Sequence, residues 1–417
     1  MPTPTRRSTW ATGRRSPIRW TGPSPHPGQR AVLASPARLR VLACGRRWGK
    51  SLLALMACLL AARRPGAQIW YVAPTFRMVD LHFRTLQRHL PAGYPGVIRR
   101  AERALRCDNG AEIGFRSANH PDHLRGVGLD FLVVDEAVFI PQGAVAWREA
   151  LRPTLADRAG RALLISTPRG HDWFAALHAA GLELGQTEIA SFTYPSATNP
   201  HLPPAELEAA RRELPARIWA QEFEARFLDD GGGVFRGVRR AATGELREPY
   251  PGRFAVGVDW GKREDFTVFC VLDTETGAVV DLRRYRQIDY AVQTQHLADL
   301  CARWAPAVVL TERNAMGEPL LEQLVRDGLP VRGFLTTAGS KARLLDQLAL
   351  AFDRDELSLP PDPVLIAELE SYTLERTPAG NYRYGAPAGG HDDCVIALAL
   401  AWEARGQAAI GRLAEFL

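Results

Sequence analysis

The sequence predicts an α/β protein of two domains. Three observations lead there. Apolar runs of five or six residues alternate with helical stretches from about residue 30 to 185. The segment Asp229-Asp230-Gly231-Gly232-Gly233 then interrupts the chain, and three consecutive Gly sustain neither a helix nor a strand. Beyond Arg253 a second set of strands and helices begins, in a different order. A chain of 417 residues has room for two cores of ordinary size.

Residues 1–28 read as a flexible basic arm, with Pro at 2, 4, 17, 23, 25 and 27. A first domain follows over 29–188. Its candidate strands are Leu39–Ala43, Gln68–Ala73, Ala111–Phe115, Leu129–Val134 and Ala162–Ser166, with helices at Leu52–Ala62 and Val145–Leu151. Several of these strands are apolar almost throughout, the pattern of strands buried on both faces of a largely parallel sheet. Residues 189–230 read as a small helical lid, with helices over Ala205–Leu214 and Ala216–Phe227, and 231–250 as a linker. The second domain, 251–417, opens with strands Phe254–Val258, Thr267–Asp273 and Ala278–Leu282, the last two joined by a turn. Helix, strand, helix, strand and helix follow at Ala291–Trp304, Ala307–Thr311, Glu318–Asp327, Val331–Leu335 and Ser340–Asp353, and a last helix at Asp392–Ala404. Three meandering strands before alternating α and β predict a mixed sheet with helices on its faces.

Composition narrows the function. Hydrophobic residues make up 46% and charged residues 24%, which excludes a mainly disordered chain. The longest apolar run, Leu52 to Ala62, is too short to span a bilayer. The basic, Pro-rich opening has no apolar core of a secretory signal. The net charge is +6, carried by 49 Arg and only Lys50, Lys262 and Lys341. No Asp or Glu precedes Asp80, whereas 13 Arg do, a bias that suits a polyanionic partner. The six Cys (44, 58, 107, 270, 301 and 394) form no CxxC pair or zinc spacing and read as buried thiols in a reducing compartment.

Two constellations carry chemistry. The first strand runs into Cys44-Gly45-Arg46-Arg47-Trp48-Gly49-Lys50-Ser51 and then a helix. A full P-loop has Gly at the position of Cys44; here it lies one place on. Gly49-Lys50-Ser51 is intact. Gly49 lets the backbone approach phosphate, Lys50 reaches the β- and γ-phosphates and Ser51 ligates magnesium. The run Leu129-Asp130-Phe131-Leu132-Val133-Val134-Asp135-Glu136 is the expected partner. Asp135 would hold the magnesium and Glu136 would polarise the attacking water. Ser166-Thr167 at the end of a further strand suits a γ-phosphate sensor. The second constellation is acidic. Asp259 ends the Phe254–Val258 strand on the face of its small residues, Glu312 follows Val308–Thr311, and Asp392-Asp393 opens the last helix beside His391. Oxygen ligands of this kind suit Mg2+ or Mn2+, and two such ions clamp a phosphodiester in an in-line displacement. Asp265, from the next strand, is a further candidate for this site.

The ordered set of Cys-Gly-Arg-Arg-Trp-Gly-Lys-Ser, Val-Val-Asp-Glu-Ala, Ser-Thr-Pro, Gly-Val-Asp-Trp-Gly, Thr-Glu-Arg-Asn and Gly-His-Asp-Asp-Cys-Val-Ile-Ala-Leu-Ala resembles the large terminase subunit of tailed double-stranded DNA bacteriophages, over residues 28 to 404. The shifted Gly matches that family's own version of the loop. The resemblance implies an additional-strand, RecA-like ATPase followed by a ribonuclease-H-like nuclease. It also implies ATP with Mg2+, and Mg2+ or Mn2+ for cutting. Gln29 would meet adenine. Arg125, in His123-Leu124-Arg125-Gly126, would act as an arginine finger on a neighbouring subunit, or Arg46 or Arg47 within the same one. Lys341 would contact the cut strand. The implied partners are double-stranded DNA, the portal protein of the procapsid, the small terminase subunit and further copies of the chain, five on the portal, in the host cytoplasm. A repair or recombination helicase-nuclease shares both activities but calls for a second ATPase domain; the chain has one P-loop. A nucleotide-gated DNA-binding protein with an inactive second half is the other reading, and the intact acids argue against it.

Overall fold

The computed structural model describes residues 20–92, 96–170, 172–228, 233–261, 266–313, 318–376, 382–387 and 389–415. Asp265 and Lys262 lie outside the described residues, as does the arm over residues 1–19. The chain divides into two compact units, one of residues 1–207 with 220–228 and one of 208–219 with 229–417.

The first unit is built on an eight-stranded sheet in the order β3-β4-β5-β2-β6-β7-β1-β8. Its strands are β1 (Leu39–Cys44), β2 (Gln68–Ala73), β3 (Val97–Arg99), β4 (Ala104–Arg106), β5 (Glu112–Ser117), β6 (Phe131–Asp135), β7 (Arg161–Ser166) and β8 (Ile189–Tyr194). β5, β2, β6, β7, β1 and β8 run parallel, and β3 and β4 form an antiparallel edge. Leu39, Val41 and Ala43 of β1 join the apolar layer on one face, and Leu42 and Cys44 the layer on the other. That double burial is what the near-continuous apolar runs predict. Helices α1 (Pro27–Ala34), α2 (Lys50–Ala61) and α3 (Phe76–Arg88) contribute Val32, the apolar side of α2, and Val79, Phe83 and Leu86 to the second of these layers. A further helix, α4 (Trp173–Ala180), adds Phe174 to the first.

Three expectations change. Residues 20–28 do not continue the arm: Thr21 donates to the His89 carbonyl at 3.0 Å, and Pro27 already opens α1. Pro at the first helical turn is tolerated because that N–H has no intrahelical partner. The segment expected as one lid, 189–230, is divided. β8 completes the first sheet beside β1, because a parallel edge strand needs only its inner face to be apolar, and Glu208–Trp219 belongs to the second unit. The helix expected over Val145–Leu151 is wound more widely over Ala146–Leu151 and tightens over Arg152–Leu155, where Pro153 supplies no donor.

The second unit holds a five-stranded mixed sheet, β11-β10-β9-β12-β13. β9 (Phe254–Asp259), β10 (Phe266–Asp273) and β11 (Val279–Arg286) are antiparallel; β12 (Val308–Glu312) and β13 (Val331–Phe334) run parallel to β9. The long helix α5 (Asp393–Glu415) packs on the face that carries Ala255 and Gly257. Helix α6 (Tyr290–Trp304) covers the opposite face, where Phe254, Val256 and Val258 meet Leu297, Leu300 and Trp304. Gly257 sets the helix distance. A Cβ there would collide with the Ala397 carbonyl and the Ala401 amide, backbone atoms of α5. A residue without a side chain at the centre of β9 thus brings the start of α5 to the end of β9. All six cysteines are buried and unbridged. Among the described residues no helix is long and apolar enough to cross a membrane.

Gly257→Ala is expected to push α5 off the sheet at a cost of about 1–3 kcal/mol or more, read as a lower melting temperature. Gly406→Ala, on the same helix with nothing near its Cβ position, is expected to raise it by up to ~1 kcal/mol. Equal melting temperatures for the two variants would remove the close-packing argument.

Candidate active sites

The first site forms where parallel strands end. Register puts Ala43 of β1 beside Ser166 of β7, and Asp135 of β6 beside Ile165. Gly49, at φ +99°, turns the chain from β1 into α2, whose first residues are Lys50 and Ser51. Lys50 Nζ lies 3.1 Å from Glu136 Oε1 and donates to Thr167 Oγ1 at 3.2 Å. Ser166 Oγ donates to Glu136 Oε2 at 3.4 Å. Glu136 itself sits in the left-handed region, φ 48°, where non-glycine residues are rare and often functional. Burial pushes its carboxyl above the usual range, while Lys50 draws it back. Burial also works against the Lys50 charge, yet Glu136 and Asp135 outweigh it and hold the ammonium above its usual value.

Asp135 is fully buried. Its Oδ1 accepts from the Glu136 amide at 2.9 Å; its Oδ2 accepts from the Tyr71 hydroxyl and lies 3.2 Å from His82 Nε2. Burial lowers the His82 pKa while the Asp135 charge opposes the shift, and a carboxylate only accepts, so Nε2–H is the donor there.

The loop is held from three directions that its own residues do not reveal. Gly45 donates to the Tyr194 carbonyl at 3.0 Å, and a Cβ at Gly45 would strike Ser196 and the Phe223 carbonyl. That clearance explains the glycine's place, one residue later than in the general pattern: Cys44 is still a buried strand residue, and Gly45 is the first to meet a neighbour. Ser196, Asn199 and Thr198 bind the Arg46 carbonyl, the Arg47 carbonyl and the Trp48 indole at 2.6, 2.8 and 2.8 Å. The Arg46 guanidinium pairs with Glu222. From α1, Gln29 Nε2 donates to the Gly49 carbonyl at 2.9 Å while its Oε1 accepts from the His26 amide at 3.0 Å. His26 Nε2 contacts the Trp48 carbonyl at 3.1 Å. Gln29, Gly45, Arg46, Arg47, Gly49, Lys50, Ser51, Asp135, Glu136, Ser166 and Thr167 are therefore brought to one region. Arg125 is exposed and engaged elsewhere, 3.2 Å from Asp122 and 3.5 Å from Glu149.

The second site lies where β9, β12 and α5 meet. Asp259 ends β9 and Glu312 ends the neighbouring β12, one step beyond the Thr311–Val258 pair. Asp392 and Asp393 stand at the start of α5. Burial raises the Asp259 carboxyl well above its usual range, and the charges of Glu312, Asp393 and Asp392 add to the shift. Three further carboxylates thus bear on the charge of Asp259, with a cation near them: Lys341 Nζ is 3.2 Å from Asp392 Oδ2, which the Tyr372 hydroxyl also approaches at 3.3 Å. Thr336 donates to Glu312 at 2.6 Å. Asp393 accepts from the Phe266 amide at 3.3 Å, with His391 Nδ1 3.6 Å away. Glu368, on a helix from Pro363 to Ser371, accepts the Cys394 amide at 2.8 Å. A carboxylate at the positive end of α5 steadies the turn that carries Asp392 and Asp393. Among the described residues no three acidic, His or Cys side chains stand ready as a metal cage. The donor set nonetheless fits a hard divalent ion, since mutual repulsion of the carboxylates is what such an ion relieves.

With both sites in view, comparison with known proteins is direct. Residues 41–241 match the family model "Terminase large subunit, T4likevirus-type, N-terminal", and 256–405 match "Terminase RNaseH-like domain". The large terminase subunit of Thermus virus P23-45 is 32% identical over 91% of this chain and 87% of its own length. The chain belongs to the large terminase subunits. That of Escherichia phage T5 is 29% identical over 64% of this chain and 65% of its own. A solved large terminase from a thermophilic bacteriophage shares the fold, with a TM-score of 0.53 at 15% identity, covering 91% of this chain and 98% of that one. A member of this family is a genome-packaging motor with an ATPase in its first half and a nuclease in its second, and the helicase-nuclease alternative finds no support.

Sequence reasoning missed the supports. Tyr71, His82, His26, Ser196, Asn199, Glu222, Tyr372 and Glu368 lie outside every motif, and their spacing from the motif residues gives no local signal.

The raised Asp259 carboxyl has a consequence for stability. Its proton is held more tightly in the folded than in the unfolded chain, so this contribution is full below the unfolded carboxyl range and is lost as pH climbs toward the raised value. In metal-free buffer, Asp259→Asn is expected to melt higher than wild type at pH 8, by about 1 kcal/mol or more, with the difference shrinking toward pH 4. An Asp259→Asn variant that melts lower at pH 8 would show that the carboxylates do not repel.

Proposed function

We propose that Lys50, Ser51 and the loop amides hold the β- and γ-phosphates of ATP. Asp135 and Ser51 serve the magnesium side, and Glu136 orients the attacking water. The observation that carries this reading is the meeting of two separate strand ends on one ammonium at a helix start, with Lys50 contacting both Glu136 and Thr167. A γ-phosphate beside Lys50 competes with Glu136 for that charge, so nucleotide entry frees the carboxylate to take a water proton. Ser166 and Thr167, which touch Glu136 and Lys50, then register whether the phosphate is present. Gln29 meets adenine or transmits its presence through the Gly49 carbonyl, which it already holds. Arg125 serves a neighbouring subunit as arginine finger.

In the second half, Asp259, Glu312, Asp392 and Asp393 hold Mg2+ or Mn2+, which supplies Lewis-acid activation at a scissile phosphodiester when bound. Lys341 faces the cut strand and Asp392 holds its ammonium in place. Double-stranded DNA is gripped through its phosphates, with no base readout required of a motor that moves any sequence. The portal protein, the small terminase subunit and four further copies of the chain complete the assembly, in the host cytoplasm.

Supercoiled plasmid and ATP test both sites together. Wild type and Glu136→Gln are expected to nick and linearise plasmid with Mg2+ or Mn2+, and Asp259→Ala to leave it intact. Glu136→Gln is expected to lose ATP hydrolysis by at least ~100-fold while Asp259→Ala keeps it. Cutting by Asp259→Ala, or loss of both activities in both variants, would overturn the two-site assignment. DNA binding without cutting in any metal would favour an inactive second half.

A further inference from the structure

We propose that Tyr71 and His82 are positioning residues of the ATPase, a buried pair that aims Asp135 at the metal side of the nucleotide. The inference rests on the reading of Asp135 given above.

Neither residue belongs to a motif. Tyr71 comes from β2, which lies beside β6, and His82 comes from α3. Both are buried, Tyr71 completely. The Tyr71 ring is stacked on Phe115 at 5.1 Å and leans on the His82 ring at 5.3 Å, so packing leaves its hydroxyl one direction. That hydroxyl meets the Asp135 carboxylate. A carboxylate only accepts, so the Tyr71 proton goes to Asp135. The bond therefore has a direction, from Tyr71 to Asp135.

The direction matters for a cation. Two donors occupy one oxygen of the Asp135 carboxylate and leave the other for the site. Its Oδ2 receives both the Tyr71 hydroxyl and His82 Nε2, and its Oδ1 receives, among the described residues, only the Glu136 amide at 2.9 Å. The remaining capacity of Oδ1 is what Asp135 has to offer an ion or its bound water. Partners in this outer position orient metal ligands, and their loss commonly weakens metal binding about 10- to 100-fold.

The test is the Mn2+ binding that ADP adds to the full-length chain, followed by electron paramagnetic resonance and read above the ADP-free level set by the second site, beside ADP binding in EDTA. Tyr71→Phe keeps the ring stack and is expected to weaken Mn2+ binding by about 10-fold or more, with ADP binding in EDTA unchanged. His82→Leu is expected to do the same, and His82→Gln, which retains an N–H donor, to recover most of the affinity. Asp135→Asn is the reference. If it binds Mn2+ as wild type does, the metal-side reading of Asp135 fails. If it weakens binding while Tyr71→Phe and His82→Gln match wild type and His82→Leu does too, the pair only fills space. Equal loss of Mn2+ and metal-free ADP binding in Tyr71→Phe would also overturn the proposal, as a general defect of the fold. Should His82→Leu fail to fold, Tyr71→Phe decides.

Discussion

A strand buried on both faces can present polar side chains only at its ends, and both sites of this chain follow from that constraint. β1, β6 and β7 carry apolar side chains through the first sheet and release Lys50, Asp135, Glu136, Ser166 and Thr167 at one edge. β9 and β12 do the same in the second sheet with Asp259 and Glu312. The parallel register makes the ends coincide, so residues far apart in sequence share a site without long loops. Each sheet is therefore a device for setting charges side by side at a distance fixed by strand spacing.

The two edges manage charge in opposite ways. At the first, a nearly buried ammonium sits against a nearly buried carboxylate: Glu136 favours the Lys50 charge against the cost of burial, while Lys50 offsets only part of the burial that raises Glu136. At the second, the charges of Glu312, Asp393 and Asp392 bear on Asp259, an arrangement of mutual repulsion that Lys341, beside Asp392, only partly relieves. Close packing enforces it: Gly257 lets α5 lie against β9, and Glu368 ties down the first turn of that helix. The same logic accounts for the few lysines in an arginine-rich chain, since both described lysines, Lys50 and Lys341, serve as compact charges beside carboxylates.

The supports of the first loop show how a motif depends on what it does not contain. Cys44 to Ser51 carries the phosphate-binding pattern, yet its carbonyls are held by Ser196, Asn199 and Gln29, and Arg46 by Glu222. β8 brings the first two of these alongside, which is why the strand belongs to this sheet and not to a separate lid. A loop braced in this way keeps its amides aimed at an anion without needing one to shape it.

What the sequence determined by itself was everything with a local or periodic cause. Apolar runs announce strands buried on both faces, Gly49-Lys50-Ser51 announces a turn into a helix, and acids just past apolar runs announce carboxylates at strand ends. The alternation in β9 even placed Asp259 on the face that α5 covers. Tertiary structure alone decided which distant residues complete each site. Tyr71 and His82 reach Asp135 because β2 lies beside β6 and α3 packs over β2 and β5, and Glu368 caps α5 across a helix contact. No spacing encodes such pairs, since a hydrogen bond between elements depends on how layers stack rather than on the chain between them. The extent of the first sheet was hidden for a similar reason. β8 is only half-buried, so its residues lack the apolar run that marks the inner strands, and its place is set by backbone hydrogen bonds to β1 that any side chains permit.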